Sequence, residues 1–393
     1  MYYTNAVKLH PTAWLIAEFA AANTASMVLF VGNPTNVVIC EGFGINNVVY
    51  SAYTIFPFMA CSVFCFAALA FQFRTKEHIP KRLDATEELN PLSVLHDPIG
   101  AWVGAILLGS CLVVIIMVSF FGIDVWKISL PFAATKFIVD IGWDYWRDQN
   151  GRLTRPHKPG SQESDHVTSS KDTGSLSSSW DSIPPKEPPS NTIIPPVPTD
   201  LTSSDEPRSF IRRHQSKWTH FRGQFDRHFP TLSTAFPRLP FALVPFAFSQ
   251  FILIEALAHQ GWIDIFATWL IRATDRALYP TVWIVGILGV FLCNLSGTNI
   301  GATILLTKVV RAANMPDPSF RAAAIALAVA SNVGAISFTF SASLAGLLWR
   351  GILEQKRIHI KQSEFAMWNL LPIIVMTAVG LCVVCIEMSV LQR

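Results

Sequence analysis

Residues 22–36 read Ala-Asn-Thr-Ala-Ser-Met-Val-Leu-Phe-Val-Gly-Asn-Pro-Thr-Asn: a polar pair, an apolar turn or two, then a second polar patch, all inside a long apolar run. Pro34 removes an amide donor and Gly32 loosens the backbone, so Asn33-Pro34-Thr35-Asn36 predicts a helix break. Freed amides and half-helix N-termini can hold an anion, and freed carbonyls with Asn or Thr oxygens can hold Na+. Residues 331–345, Ser-Asn-Val-Gly-Ala-Ile-Ser-Phe-Thr-Phe-Ser-Ala-Ser-Leu-Ala, show the same order when Asn23 is set opposite Asn332, with the second patch beginning at Gly32 or Ser341. A third polar centre, Asn294-Leu-Ser-Gly-Thr-Asn-Ile-Gly-Ala-Thr303, lies between two short apolar arms within Thr281 to Val310. Backbone that breaks at depth is tolerated only against protein or a watery cavity, so this stretch predicts a re-entrant hairpin with its tip around Gly297.

The composition agrees with lipid as the solvent. Of the 393 residues, 51% are hydrophobic and only 15% charged, against roughly 25% charged in an ordinary soluble domain. A net charge of +3 is too small and too dispersed for a nucleic-acid partner. The seven cysteines, at 40, 61, 65, 111, 293, 382 and 385, all fall in apolar stretches and read as small core residues, the Cys382/Cys385 pair included.

A helix needs about 20 apolar residues to span a bilayer. Ala13 to Val31, Ile55 to Phe73, Ile99 to Ile123, Phe241 to Ala258, Ala322 to Leu348 and Leu370 to Val390 are runs of this kind. Trp126 to Val139 is short for an untilted span, and Trp262 to Ile271 reads as a surface-lying amphipathic piece. From about Asp144 to Leu239 the composition turns to Ser, Pro, Asp, Lys and Arg, which predicts a disordered insert. The expected organisation is a first membrane repeat at 12–140, a cytoplasmic insert at 141–240 and a second membrane repeat at 241–393. Arg74, Lys76, Lys81 and Arg82, the insert's Arg212, Arg213, Lys217, Arg222 and Arg227, and Arg350, Lys356, Arg357 and Lys361 form three basic clusters that place these loops in the cytoplasm. Threading through them makes the two similar segments antiparallel, as in an inverted-repeat transporter.

The candidate substrate- or ion-binding residues are Asn23, Thr24, Asn33, Thr35, Asn36, Asn294, Ser296, Thr298, Asn299, Asn332, Ser341 and Ser343. A single Asn in a membrane helix is more often packing glue; three clusters beside Gly or Pro favour a shared polar site without a fixed charge at depth. On that reading Asn299→Ala or Asn36→Ala abolishes ion-dependent transport and leaves folding intact. Among Glu18, Glu41, Glu255 and Lys308, only Glu18 reads as deep. An intramembrane enzyme needs a nucleophile with its base, or metal ligands at depth, and the apolar segments hold no histidine pair.

The phrases AEFAAANTASMVLFVGNPTNVVI (17–39), LCNLSGTNIGATILL (292–306) and ALAVASNVGAISFTFSASLAGLLWRGIL (326–353) resemble the arsenite and citrate transporter-like group of the ion transporter superfamily, and its fungal branch most closely. The resemblance implies an all-α integral membrane protein of inverted repeats, each with scaffold helices, a re-entrant hairpin and a broken helix. It implies a small anion or oxyanion substrate of the arsenite, citrate or dicarboxylate class, Na+ or H+ as coupling ion with no other cofactor, and it allows a homodimer in the plasma or vacuolar membrane. In that group a hairpin precedes the first broken helix, which here begins near residue 12, so the first repeat is expected to be incomplete. The alternative expectation is a transport-inactive membrane scaffold or truncated paralogue.

Overall fold

The computed structural model describes residues 11–75, 97–118, 125–150, 228–239 and 243–391, with the single residues 78, 123 and 241. Lys76, Lys81, Arg82 and most of the insert, with its five arginine and lysine anchors, lie outside the described residues. Helices α1 (Pro11–Ala25), α2 (Pro34–Phe43), α3 (Asn47–Gln72), α4 (Pro98–Val118) and α5 (Val125–Gln149) precede the insert. Helices α6 (Pro230–Ala235), α7 (Leu243–His259), α8 (Trp262–Thr274), α9 (Leu278–Leu295), α10 (Asn299–Ala312), α11 (Asp317–Gly334), α12 (Leu344–Gln355) and α13 (Gln362–Leu391) follow it. There is no strand among the described residues. One compact unit comprises Met1–Val139 and Phe236–Arg393, and a second comprises Asp140–Ala235.

Both quoted segments break where the polar patches stand. The run from Ala13 to Val31 ends as helix at Ala25, makes a 3₁₀ turn at Phe30–Gly32 and restarts at Pro34. The run from Ala322 to Leu348 ends as helix at Gly334, turns at Phe340–Ala342 and restarts at Leu344. Pro34 suits the first helical position because its missing N–H has no intrahelical acceptor there. A Cβ on Gly32 would lie 2.4 Å from the Ser26 carbonyl oxygen, so glycine is needed there for close approach more than for flexibility.

The two segments pass antiparallel. Phe19 of α1 packs on Trp349 of α12 at 5.2 Å between ring centroids, Ser26 meets Asn332 in the middle, and Phe43 at the end of α2 packs on Phe320 at the start of α11 at 5.0 Å. Such a reversed order of contacts is possible only for opposed chain directions.

Thr281 to Val310 is a hairpin. The chain turns at Ser296–Thr298 with Gly297 at φ 71°, in the left-handed region that glycine enters at least cost. A Cβ on Gly289 would lie 3.8 Å from Leu306 Cδ1, and Thr281 Oγ1 lies 3.9 Å from Met315 Sδ, whereas one straight helix would hold Gly289 and Leu306 roughly 25 Å apart. The first arm, α9, is longer than the sequence reading allowed: its 18 residues are apolar enough to cross a membrane.

Helices α3, α4, α9 and α13 each have the length and composition of a span, and α7 with α8 forms a pair bent by 78°. The bend falls at Gly261, φ 75°, and α8 buries only Ile263, Ala267, Leu270 and Thr274, the single stripe of a surface helix. Pro372 cannot donate to the Trp368 carbonyl one turn earlier, and Gln72 Nε2 donates to that oxygen at 2.7 Å, tying α3 to α13. The short apolar run Trp126 to Val139 is corrected to the 25-residue α5, since the polar turns after Val139 continue the helix. The cysteine reading holds for Cys40, Cys61, Cys65, Cys111 and Cys293, but Cys382 is exposed and Cys385 half-buried on the outer face of α13. Within the second unit, Asp144 accepts from the Thr231 amide at 2.9 Å and hydroxyl at 2.7 Å.

Candidate functional site

Three helix N-termini meet at one cavity. Helix α2 is capped by Asn33, whose Oδ1 accepts from the Thr35 amide at 3.2 Å. Helix α10 is capped by Thr298, whose Oγ1 accepts from the Ile300 amide at 3.2 Å, and α12 by Ser343, whose Oγ accepts from the Gly346 amide at 3.0 Å. The three caps are extended, as a helix start requires. The cavity, about 260 Å³, is walled by Asn23, Ser26, Asn33, Asn299, Ser343 and their neighbours, with no charged side chain. Larger clefts of about 760 Å³ and 460 Å³ lie against Glu41 and against Asp317 and Arg321, and neither includes Asn33, Asn299 or Ser343.

Behind the cavity, Asn332 and Asn36 lock the two breaks together. Asn332 Nδ2 donates to Asn36 Oδ1 at 2.8 Å and to the Ala328 carbonyl at 2.9 Å. Its Oδ1 accepts from Ser26 Oγ at 2.8 Å and Asn33 Nδ2 at 3.2 Å. Asn36 Nδ2 donates to the carbonyls of Ser26 and Leu29, both at 2.8 Å. An amide side chain has two donor hydrogens and one acceptor oxygen, so the donors of both residues are spent, and both are fully buried. Asn36 therefore stands in the frame between the breaks, and Asn36→Ala is expected to lower stability as well as transport.

The other candidates divide between wall and frame. Asn299 is 2% exposed, lines the cavity, and its side chain makes no hydrogen bond to the described residues. Asn23, 4% exposed, spends one amide hydrogen on the Phe19 carbonyl at 2.9 Å and shows the rest to the cavity. Ser343 lies in the wall, but its hydroxyl also donates to the Ala335 carbonyl. Asn294 is turned away: its Nδ2 donates to the Val290 carbonyl and its Oδ1 accepts from the Phe338 amide at 2.7 Å, latching α9 to the second break. Ser296 bonds the Leu292 and Thr298 carbonyls across the hairpin tip. Ser341 Oγ faces that tip, 3.9 Å from where a Gly297 Cβ would stand. Thr24 bonds the Ala20 carbonyl and touches Met376 of α13, outside the cavity wall. Thr35 is buried with its hydroxyl unpartnered. Of the charged candidates, Glu18 is exposed, and Glu255 pairs with Lys308 at 2.7 Å.

The breaks repeat each other's geometry. Asn23 and Asn332 each stand two residues before their helix ends, and each donates to the carbonyl four residues back at 2.9 Å. Leu29 and Thr339 open the 3₁₀ turns at φ −107° and −127°, and the caps Asn33 and Ser343 sit at φ −143° and −144°. The second break is one residue longer before its turn, and the surplus is taken up at Ser337, fully buried at φ 54° and held by its hydroxyl on the Thr339 carbonyl. Sequence reasoning missed Ser337, since nothing marks a lone serine as left-handed. A left-handed residue other than glycine costs about 1–2 kcal/mol. Ser337→Gly is therefore expected to be near neutral, while Ser337→Val should destabilise by about 3 kcal/mol through its β-branch and the lost hydrogen bond, measurable as thermal unfolding in detergent.

Three helix N-termini at a cavity without a charged side chain offer it their positive ends. Residues 4–141 match the family model of ArsB, the arsenical pump membrane protein. No curated protein and no solved structure matches. The ArsB match covers α1 to α4, the first break and most of α5, and it bears out the likeness to the arsenite and citrate transporter-like group. The chain is an all-α, multi-pass integral membrane protein that is similar over residues 4–141 to the arsenical pump membrane proteins.

Proposed function

We propose that the chain is a secondary transporter for a small anion or oxyanion of the arsenite, citrate or dicarboxylate class, coupled to H+ or Na+. The observation that carries this is the meeting of α2, α10 and α12 by their N-termini at a cavity without a charged side chain. Orphan amides and helix dipoles there replace an anion's hydration without burying a fixed charge. The antiparallel passage and matched geometry of the two breaks support an inverted repeat, residues 12–140 and 241–393 being its halves and 141–240 a cytoplasmic insert.

The test is uptake by vesicles containing the full chain, with arsenite, citrate and succinate as substrates under imposed proton and sodium gradients. Asn299→Ala should cut uptake at least tenfold with the protein still monodisperse, because it removes a hydrogen bond of about 1.5–3 kcal/mol to a charged group and leaves no protein group unpartnered. Uptake unchanged in this variant would make the cavity a packing defect.

One observation favours a transport-inactive scaffold. Of α12 only Gly346 and Leu353 are buried, whereas its counterpart α2 buries Thr35, Asn36, Ile39, Cys40 and Phe43, partly beneath α10. A wild-type chain that carries none of the three substrates would decide for the scaffold.

A further inference from the structure

We infer that the two matching breaks have divided the work, the first serving as a rigid brace and the second, with Asn23, as the anion's binding half. The inference rests on the transport reading above and assigns the ligand to one side of the cavity. The twin asparagines meet different partners. Asn332 meets three first-break groups: the Ser26 hydroxyl, the Asn33 amide and the Asn36 amide. The residues at the equivalent positions of the second break are Ala335, Ser343 and Gly346. Ala335 has no hydroxyl, and the Ser343 hydroxyl is spent on the Ala335 carbonyl and the Gly346 amide. Gly346 can carry no side chain at all, since a Cβ there would stand 2.4 Å from the Phe340 carbonyl oxygen. Asn23 thus keeps only its bond to Phe19, and the cavity opens where its partners would be.

The chemistry left over selects the sign of the ligand. In the first break, Asn36 saturates the Ser26 and Leu29 carbonyls. In the second, hydroxyls already cover the corresponding carbonyls, Ser343 on Ala335 and Ser337 on Thr339. Among the described wall side chains the Asn23 and Asn299 oxygens are the free acceptors, but these break carbonyls are spent. The donors are not: the amides of Leu344 and Ala345, first in α12, have no hydrogen-bond partner among the described residues, and the buried Asn23 and Asn299 side chains keep amide hydrogens free. Unspent donors, the Leu344 and Ala345 amides with the Asn23 and Asn299 amide hydrogens, outnumber the two free side-chain oxygens and favour an acceptor-only ligand such as a carboxylate or oxyanion.

The experiment is thermal stabilisation of the purified full chain by the sodium salts of citrate, succinate, sulfate, arsenate and chloride, repeated with N-methylglucamine in place of sodium. At least one anion should raise the melting temperature whichever cation accompanies it. Asn23→Ala should weaken that anion's apparent affinity at least tenfold while the anion-free melting temperature stays within a few degrees of wild type. Asn332→Ala, its twin, should lower the anion-free melting temperature severely. Wild-type affinity in Asn23→Ala, or stabilisation that follows sodium and not the anion, would overturn the division of labour and leave the transport reading standing. A wild-type chain stabilised by none of the five salts, and inert in the vesicle assay, would overturn both.

Discussion

Asn332→Ala is expected to lower the melting temperature severely. The side chain is fully buried in α11 and holds four partners from three stretches of chain. Removing it strands Asn36 Oδ1 and the Asn33 amide, while the Ser26 hydroxyl keeps the Asn23 carbonyl at 2.7 Å. Asn33 borders the cavity and can be rescued by water, but Asn36 is fully buried and cannot. A stranded buried polar group costs about 1–3 kcal/mol, and the broken hydrogen bonds add about 1 kcal/mol each, so a loss of about 4 kcal/mol is expected from a total stability of about 5–15 kcal/mol. Asn332→Asp keeps an acceptor for Ser26 and Asn33 but turns a carboxylate oxygen on Asn36 Oδ1, and should destabilise as well. Size-exclusion profiles and thermal melts in detergent check both. Monodisperse protein melting near the wild-type temperature would mean that the breaks are held by the surrounding helices and not by this amide pair.

Much of the fold was legible because periodicity and length in lipid leave few choices. Pro34 and Gly297 announced their breaks by chemistry, since one lacks a donor and the other tolerates positive φ. Helix α5 was misread because Asp140, Asp144 and Arg147 look like loop residues to any hydropathy window, yet the helix carries them half-buried or buried, Asp144 held by the Thr231 amide and hydroxyl. Of the candidates, Asn23, Asn33, Asn299 and Ser343 line one cavity, and nothing in the sequence separates them from the candidates in the frame. Asn23, Asn36, Asn299 and Asn332 are the same residue in similar apolar settings, and only three-dimensional partnering separates the saturated pair from the two that face the cavity. No sequence signal marks Leu344 and Ala345, because what they offer is backbone N–H, common to almost every residue.

The second large effect belongs to two glycines whose neighbours are backbone. A Cβ on Gly32 would stand 2.4 Å from the Ser26 carbonyl oxygen, and one on Gly346 would stand 2.4 Å from the Phe340 carbonyl oxygen. Neither neighbour is the free end of a flexible side chain, so the 3₁₀ turn or the start of the following helix must shift. In the first break the Ser26 oxygen is also held by Asn36 Nδ2, and Ser26 Oγ is held by Asn332, so relief there breaks the brace. Gly32→Ala should therefore destabilise by about 3 kcal/mol or more, within and beyond the usual 1–3 kcal/mol of an overpacked core. In the second break the shift moves the N-terminus of α12, whose Leu344 and Ala345 face the cavity, without touching the Asn36 pair. Gly346→Ala should accordingly fold with a smaller loss of stability and fail in anion binding and uptake by at least tenfold. Melting temperatures and vesicle uptake measured on the two variants side by side separate the outcomes: equal loss of stability in both would show that the breaks share one structural role, and wild-type uptake by Gly346→Ala would remove the second break from the site.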